Sequence, residues 1–141
     1  MNNIFKKSIS AARCLLLVMS FFGCRSYSKS GGITDGVQIK KIPSAIYTEE
    51  DINSAIQVIL KEFKDNWKGC KLTMICYAGD NRNRDEGASE ASKDIIVLTS
   101  SFDVDSSGGD GSLEANSTYD NWNWILRRDN GGNWRHIDHG Y

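Results

Sequence analysis

The chain has one proline in 141 residues, too few for a proline-rich linker or an extended stalk. It has no basic run and a formal net charge of −1. A nucleic-acid binder needs a basic patch, so that class is excluded. No phosphate-cradling glycine loop and no dinucleotide fingerprint is present. Ser100 and Ser101 lack the glycines of a nucleophile elbow, so a serine hydrolase has no support. Cysteines number four, but Cys14 and Cys24 stand in the N-terminal segment and only Cys70 and Cys76 remain behind it, too few for a disulfide framework. What the chain does have is four tryptophans and apolar periodicity, which argue for one packed domain behind a distinct N-terminal segment.

Lys6, Lys7 and Arg13 precede a short apolar run, Cys14 to Phe22. Roughly 10 apolar residues cannot span a bilayer, which takes about 20, but they suit the apolar part of an export signal. Gly23 supplies the small residue needed before a cut. The stretch Phe21-Phe22-Gly23-Cys24 resembles the lipobox of bacterial lipoproteins, with phenylalanine where leucine and a small residue are commonest. The resemblance implies a signal peptide over 1–23, a lipid on Cys24, and a location at the outer face of the cytoplasmic membrane. Without residues 1–23 the formal charge falls to −4, because three cations leave and no acid does.

Residues 24–45 read as a polar Ser/Gly tether with a possible first strand over Gly36–Ile42, broken by Pro43. Residues 46–141 read as a single α+β domain. Thr48 is a good N-cap and Asp51 completes a capping box. Ile52, Ala55, Ile56, Ile59, Leu60, Phe63 and Trp67 form one apolar stripe, which predicts a helix from Glu49 to about Lys68, closed by Gly69. After Gly69 the pattern is strand-like. Leu72, Met74 and Cys76 are expected on one face, then Ile96, Leu98, Phe102 and Val104, then Trp122, Trp124 and Leu126. Asp129-Asn130-Gly131-Gly132 is a hairpin signal, and Asn133–Tyr141 forms the last strand. Cys70 and Cys76 on one strand would stand roughly 20 Å apart, beyond the reach of a disulfide. Both are expected as free thiols, with Cys76 a small buried hydrophobe.

That order predicts one long helix packed on a curved, four- to five-stranded antiparallel sheet. The arrangement resembles the cystatin-like and NTF2-like folds. The cystatin inhibitory hairpin is absent, and Gln38-Ile39-Lys40 does not replace it. The stretches Tyr47–Thr73, Asp94–Leu126 and Gly131–Tyr141 also resemble a group of small lipoproteins of Gram-positive anaerobes that carry a domain of unknown function. The resemblance implies an envelope lipoprotein and assigns no catalytic residue.

Three constellations could carry chemistry. Asp103, Asp105, Ser107, Gly108 and Glu114 match the spacing of a calcium loop, with Asp110 a further carboxylate. Alternate oxygens would turn inward around the glycine bend. Asp110 stands where an EF-hand has an aliphatic residue, and the flanks read as strands, so a solvated turn is the plainer reading. His136 and Asp138 share one face of an ideal last strand and His139 the other, which suggests an acid–base or metal pair or simple surface residues. Trp122, Trp124 and Trp134 could line a cleft or fill the core. The functional expectation is a non-enzymatic module that binds a ligand or protein partner. The alternatives are a calcium-binding lipoprotein and a small NTF2-like enzyme using His136 and Asp138.

Overall fold

A computed structural model describes residues 31–141. The expected signal peptide and Cys24 lie outside the described residues. A three-residue strand, β1 (Gln38–Lys40), leads into α1 (Glu49–Asn66), which returns the chain to β2 (Cys70–Tyr77). The 18 residues of α1 rise about 27 Å, roughly the length of one strand. The helix therefore carries the chain back along the sheet, and β1 and β2 pair in parallel. A short helix, α2 (Asp80–Asp85), then precedes β3 (Ile95–Val104), β4 (Thr118–Arg127) and β5 (Arg135–Gly140). The last three strand pairings are antiparallel, and the sheet order is β1-β2-β3-β4-β5.

This overturns the expected fold. In place of one long helix on a curved antiparallel sheet, the chain forms a mixed five-stranded sheet that is not strongly curled, with two helices. The cystatin-like and NTF2-like expectation falls with it. The physical reason is the β1–α1–β2 crossover, since a helix between two neighbouring strands imposes parallel pairing.

Thr48 caps α1: its hydroxyl accepts from Asp51 N–H, and the Asp51 carboxylate accepts from Thr48 N–H. Ala55, Ile56, Ile59 and Phe63 are buried against Leu72, Ile75, Ile96, Leu98, Phe102, Trp124 and Leu126 of the sheet. At the other end Trp67 caps the helix through its N–H to Phe63 O, and the chain turns at Gly69. Gly69 has φ +74°, and a Cβ there would come within 2.4 Å of Ser107 Oγ. Both the backbone and the space demand glycine.

Three bulges decide which side chains face the core. Thr73 is an extra residue between the pairs Leu72–Phe102 and Met74–Ser101. Cys70, Leu72, Ile75 and Tyr77 therefore join the core, while Met74 and Cys76 turn to the other face. This corrects the expected Leu72–Met74–Cys76 face. In β4, Asn121 with φ +56° is extra between Tyr119 and Trp122. In β5, Ile137 is extra between His136, opposite Leu126, and Asp138, opposite Ile125. A bulge shifts the alternation by one residue, and everything beyond it changes face.

Beyond the end of β2, Asn83 of α2 substitutes for a strand partner. Its side chain accepts from Val97 N–H at 2.7 Å and donates to Val97 O and to Gly79 O. Asn83 is fully buried, with all its polar atoms engaged by backbone. Upstream, Gly32 N–H donates to Phe63 O and Ile33 bridges Lys71, so the packed part of the chain reaches back into the expected tether. Among the described residues no helix is long and apolar enough to cross a membrane.

Candidate functional site

The end of α1, the loop after β3 and the strands β4 and β5 meet around a cleft of about 390 Å³. Asn66, Trp67 and Lys68 come from the helix end, Gly109, Asp110, Ser112 and Leu113 from the loop, and Trp122 and His139 from the strands. Trp67 sits at the centre of an aromatic cluster. Its ring lies 5.2 Å from Phe63 and from Phe102, 5.8 Å from Trp122, 4.9 Å from Trp124 and 5.1 Å from His139.

Trp122 is half-buried. Its Nε1 has no hydrogen-bond partner, although the atom is shielded from solvent. The ring stands edge-on to Trp67, Phe102 and Tyr119 at 85°, 83° and 90°. Edge-to-face geometry sets the positive rim of one indole against electron-rich ring faces, which offsets part of the cost of the unpaired N–H.

The tryptophans expected to share a cleft are separated. Trp124 is fully buried and donates from Nε1 to Ser100 Oγ at 2.8 Å, which explains a buried serine without catalytic meaning. Trp134 packs at the opposite end of α1, where its Nε1 donates to Asp51 O at 3.1 Å under the Arg128 guanidinium. Only Trp122 lines the cleft, and it is joined by Trp67, which the sequence places simply in the helix stripe.

The calcium-loop residues do not converge. Asp105 accepts from the N–H and hydroxyl of Ser107, and Asp110 from Ser112 N–H at 3.0 Å. Asp103 accepts from Thr118 Oγ1 at 2.7 Å. Hydrogen bonds from Ser107 and Ser112 hold the carboxyls of Asp105 and Asp110 below their usual range. Glu114 is positioned through its backbone N–H, which donates to the Tyr119 hydroxyl. Among the described residues no group of three or more His, Cys, Asp or Glu side chains could hold a metal ion. Asp105 and Asp110 each close their own turn, and Asp103 bonds across the sheet to its partner on β4.

The Ile137 bulge also corrects the histidine geometry. His136 and His139 lie on the same face, opposite Leu126 and Trp124, while Asp138 pairs with Ile125 on the other. His136 Nε2 and His139 Nδ1 are 3.2 Å apart, and the rings stack at 5.1 Å. His136 Nε2 also lies 3.1 Å from the Asp138 carbonyl oxygen. A carbonyl only accepts, so His136 carries its proton on Nε2 and His139 Nδ1 accepts. Partial burial, followed by the neighbouring His136, lowers the His139 pKa against the opposing charges of Asp138 and Glu62. Sequence reasoning missed this pairing. The one available signal was Ile137, an apolar residue placed by strict alternation on the face opposite both neighbours.

Cys70 and Cys76 are free and buried. Cys70 lines the cleft, and burial pushes its thiol up to about 11, with Asp105 and Asp110 adding to the shift. A second polar cluster, also unforeseen, joins Ser44, Tyr77 and Asp80. Both hydroxyls donate to Asp80 Oδ1, and Ala45 N–H donates to Asp80 Oδ2. It latches the segment before α1 to the start of α2. No family model, no curated protein and no solved structure matches the chain.

Proposed function

We propose that the domain is a non-enzymatic binding module of the cell envelope, held at the outer face of the membrane by a lipid on Cys24. Its ligand site is the Trp67–Trp122 cleft, and its ligand class is a sugar ring of an envelope glycan. The observation that carries this reading is the composition of the cleft. Two indoles stand beside Asn66, Lys68, Asp110 and Ser112, so apolar surface and hydrogen-bonding groups of both kinds border one concavity. A pyranose presents polarised C–H bonds on one face and hydroxyls around its rim, which suits an aromatic floor with a polar margin. A volume of about 390 Å³ lies in the range of small-ligand sites.

The test is a titration of tryptophan fluorescence with soluble oligosaccharides of glucose, mannose and N-acetylglucosamine. One of these series should shift the emission, and Trp122→Ala should weaken its binding at least about tenfold, as expected when an anchoring aromatic is lost. If no series shifts the emission, or if Trp122→Ala binds as tightly as the parent, the reading is wrong.

A further inference from the structure

The extra residue in β5 brings two imidazoles together at the exposed edge of the sheet, and nothing in the proposed glycan site requires that. His136 Nε2 and His139 Nδ1 are 3.2 Å apart, with the Asp138 carbonyl oxygen 3.1 Å from the former. Two nitrogens each about 2.1 Å from one ion, at an angle between square and tetrahedral, stand roughly 3.0–3.4 Å apart. The observed separation falls in that range. We propose that His136 and His139 form a binding site for a single borderline divalent transition ion, with the Asp138 carbonyl as a third protein ligand and water filling the remainder.

The chemistry of the donors selects the ion. Imidazole suits zinc, nickel and copper, whereas calcium and magnesium require oxygen shells. Copper(II) heads the affinity order of the divalent series. Both rings rest on aromatic neighbours on one side: His136 lies 5.2 Å from Trp124, and His139 lies 5.4 Å from Trp124 and 5.1 Å from Trp67. His136 is half-buried and His139 exposed, so the rings keep the freedom to turn their nitrogens toward one ion. The carboxylates of Asp138 and Glu62 place negative charge close to His139, which favours a cation.

Proton balance is simple. In the metal-free protein the His136 proton is on Nε2, facing Asp138 O and His139 Nδ1. With both rings in the neutral form, ligation through Nε2 moves that proton through solvent to His136 Nδ1 and no net proton is released. The hydrogen bond between the rings is exchanged for two metal–nitrogen bonds.

The experiment uses the untagged full chain in detergent, titrated with copper(II), and reads electron paramagnetic resonance together with tryptophan fluorescence. The expected result is one ion per chain, hyperfine coupling to two imidazole nitrogens, and strong quenching, because Trp67 and Trp124 touch the ligands. His136→Gln and His139→Gln should each weaken binding by at least about tenfold. Near-ultraviolet circular dichroism shows whether the variants keep the aromatic packing. Should either variant fail to fold, the spectrum of the unaltered protein decides alone: a copper signal without two imidazole nitrogens overturns the site. Equal affinity in a folded His136→Gln/His139→Gln double variant overturns it as well. His139 borders the cleft and His136 does not, so oligosaccharide titration of the parent and of His136→Gln, read separately from copper binding, distinguishes failure of the glycan site from failure of the metal site.

Discussion

The Arg128 guanidinium donates to the Asp51 carboxylate across 77 residues of chain, tying the end of β4 to the first turn of α1. The same carboxylate receives Thr48 N–H, and Arg128 also reaches Lys93 O and stacks 4.1 Å from the Trp134 ring centroid. One aspartate thus caps its own helix and fixes that helix to the hairpin.

That geometry predicts acid sensitivity. Burial raises the Asp51 pKa, but the hydrogen bonds from Arg128 and Thr48 outweigh it and the net shift is downward. A carboxyl lowered in the folded state stabilises the protein above its unfolded value, about 3.9, and that stabilisation is lost as pH falls through the native value. Asp51→Asn should cost about 1–3 kcal/mol at pH 7, since it weakens the cap and leaves Arg128 without a counter-charge. In urea unfolding, the gap between parent and variant should close as pH falls below about 3.9, the unfolded value from which the native pKa is shifted downward. A gap that stays constant with pH would contradict the pairing.

Asn83 offers a sharper packing test. Removing its amide strands the N–H of Val97 in a buried place, at about 1–3 kcal/mol, while Val97 O keeps the hydrogen bond from Ala78 N–H. Asn83→Ala should lower stability and speed hydrogen exchange at Val97. Asn83→Asp should not restore it, because it buries a charge and sets a carboxylate oxygen against the Gly79 and Val97 carbonyls where Nδ2 donates. Unchanged exchange at Val97 in the alanine variant would show that another group holds the strand end.

Cys70 should be chemically quiet. With a pKa of about 11 it is roughly one part in a thousand thiolate at pH 8, and the thiolate is the reactive form. Iodoacetamide at pH 8 should leave the Cys70 peptide unmodified in the native protein and modify it in denaturant. Rapid native alkylation would place the thiol outside the core.

Calcium should leave the melting temperature of the chelator-stripped protein where it is. An ion that binds only the folded state must raise it, but Asp105 and Asp110 are each engaged in a turn of their own and Asp103 is bonded across the strands to Thr118. A rise abolished by Asp103→Ala with Glu114→Ala would show that the loop rearranges around the ion.

The sequence made some of this legible and not the rest. The apolar stripe of α1 and its Thr48–Asp51 cap are local patterns, and they read directly. Ile96, Leu98, Phe102 and Val104 alternate without interruption and also read directly. The Asn130-Gly131 turn forms with both residues at positive φ and Gly132 N–H bonded to Asp129 O, as that dipeptide implies. Illegible were the bulges at Thr73, Asn121 and Ile137, because an extra residue in a strand is set by its partner's register. The parallel pairing of β1 was hidden for a related reason. Three exposed residues carry no face of their own, and only the crossover through α1 orients them. The cleft depended on these long-range facts, so Trp67 and His139 could be placed in their elements but not beside each other.

Gly31 and Gly32 lie so close to the end of α1 that a Cβ on Gly31 would fall 1.5 Å from Lys64 O, and one on Gly32 would fall 2.6 Å from the Phe63 ring. The chain therefore joins the domain at the same end as Trp67 and the cleft. With a lipid on Cys24, the seven residues to Gly31 give a leash of at most about 25 Å. On the proposed anchoring, a leash that short would restrict the domain's orientations and keep the cleft end near the headgroups. The module would sample what lies within a few nanometres of the bilayer, and the outer layers of the envelope would be beyond its reach.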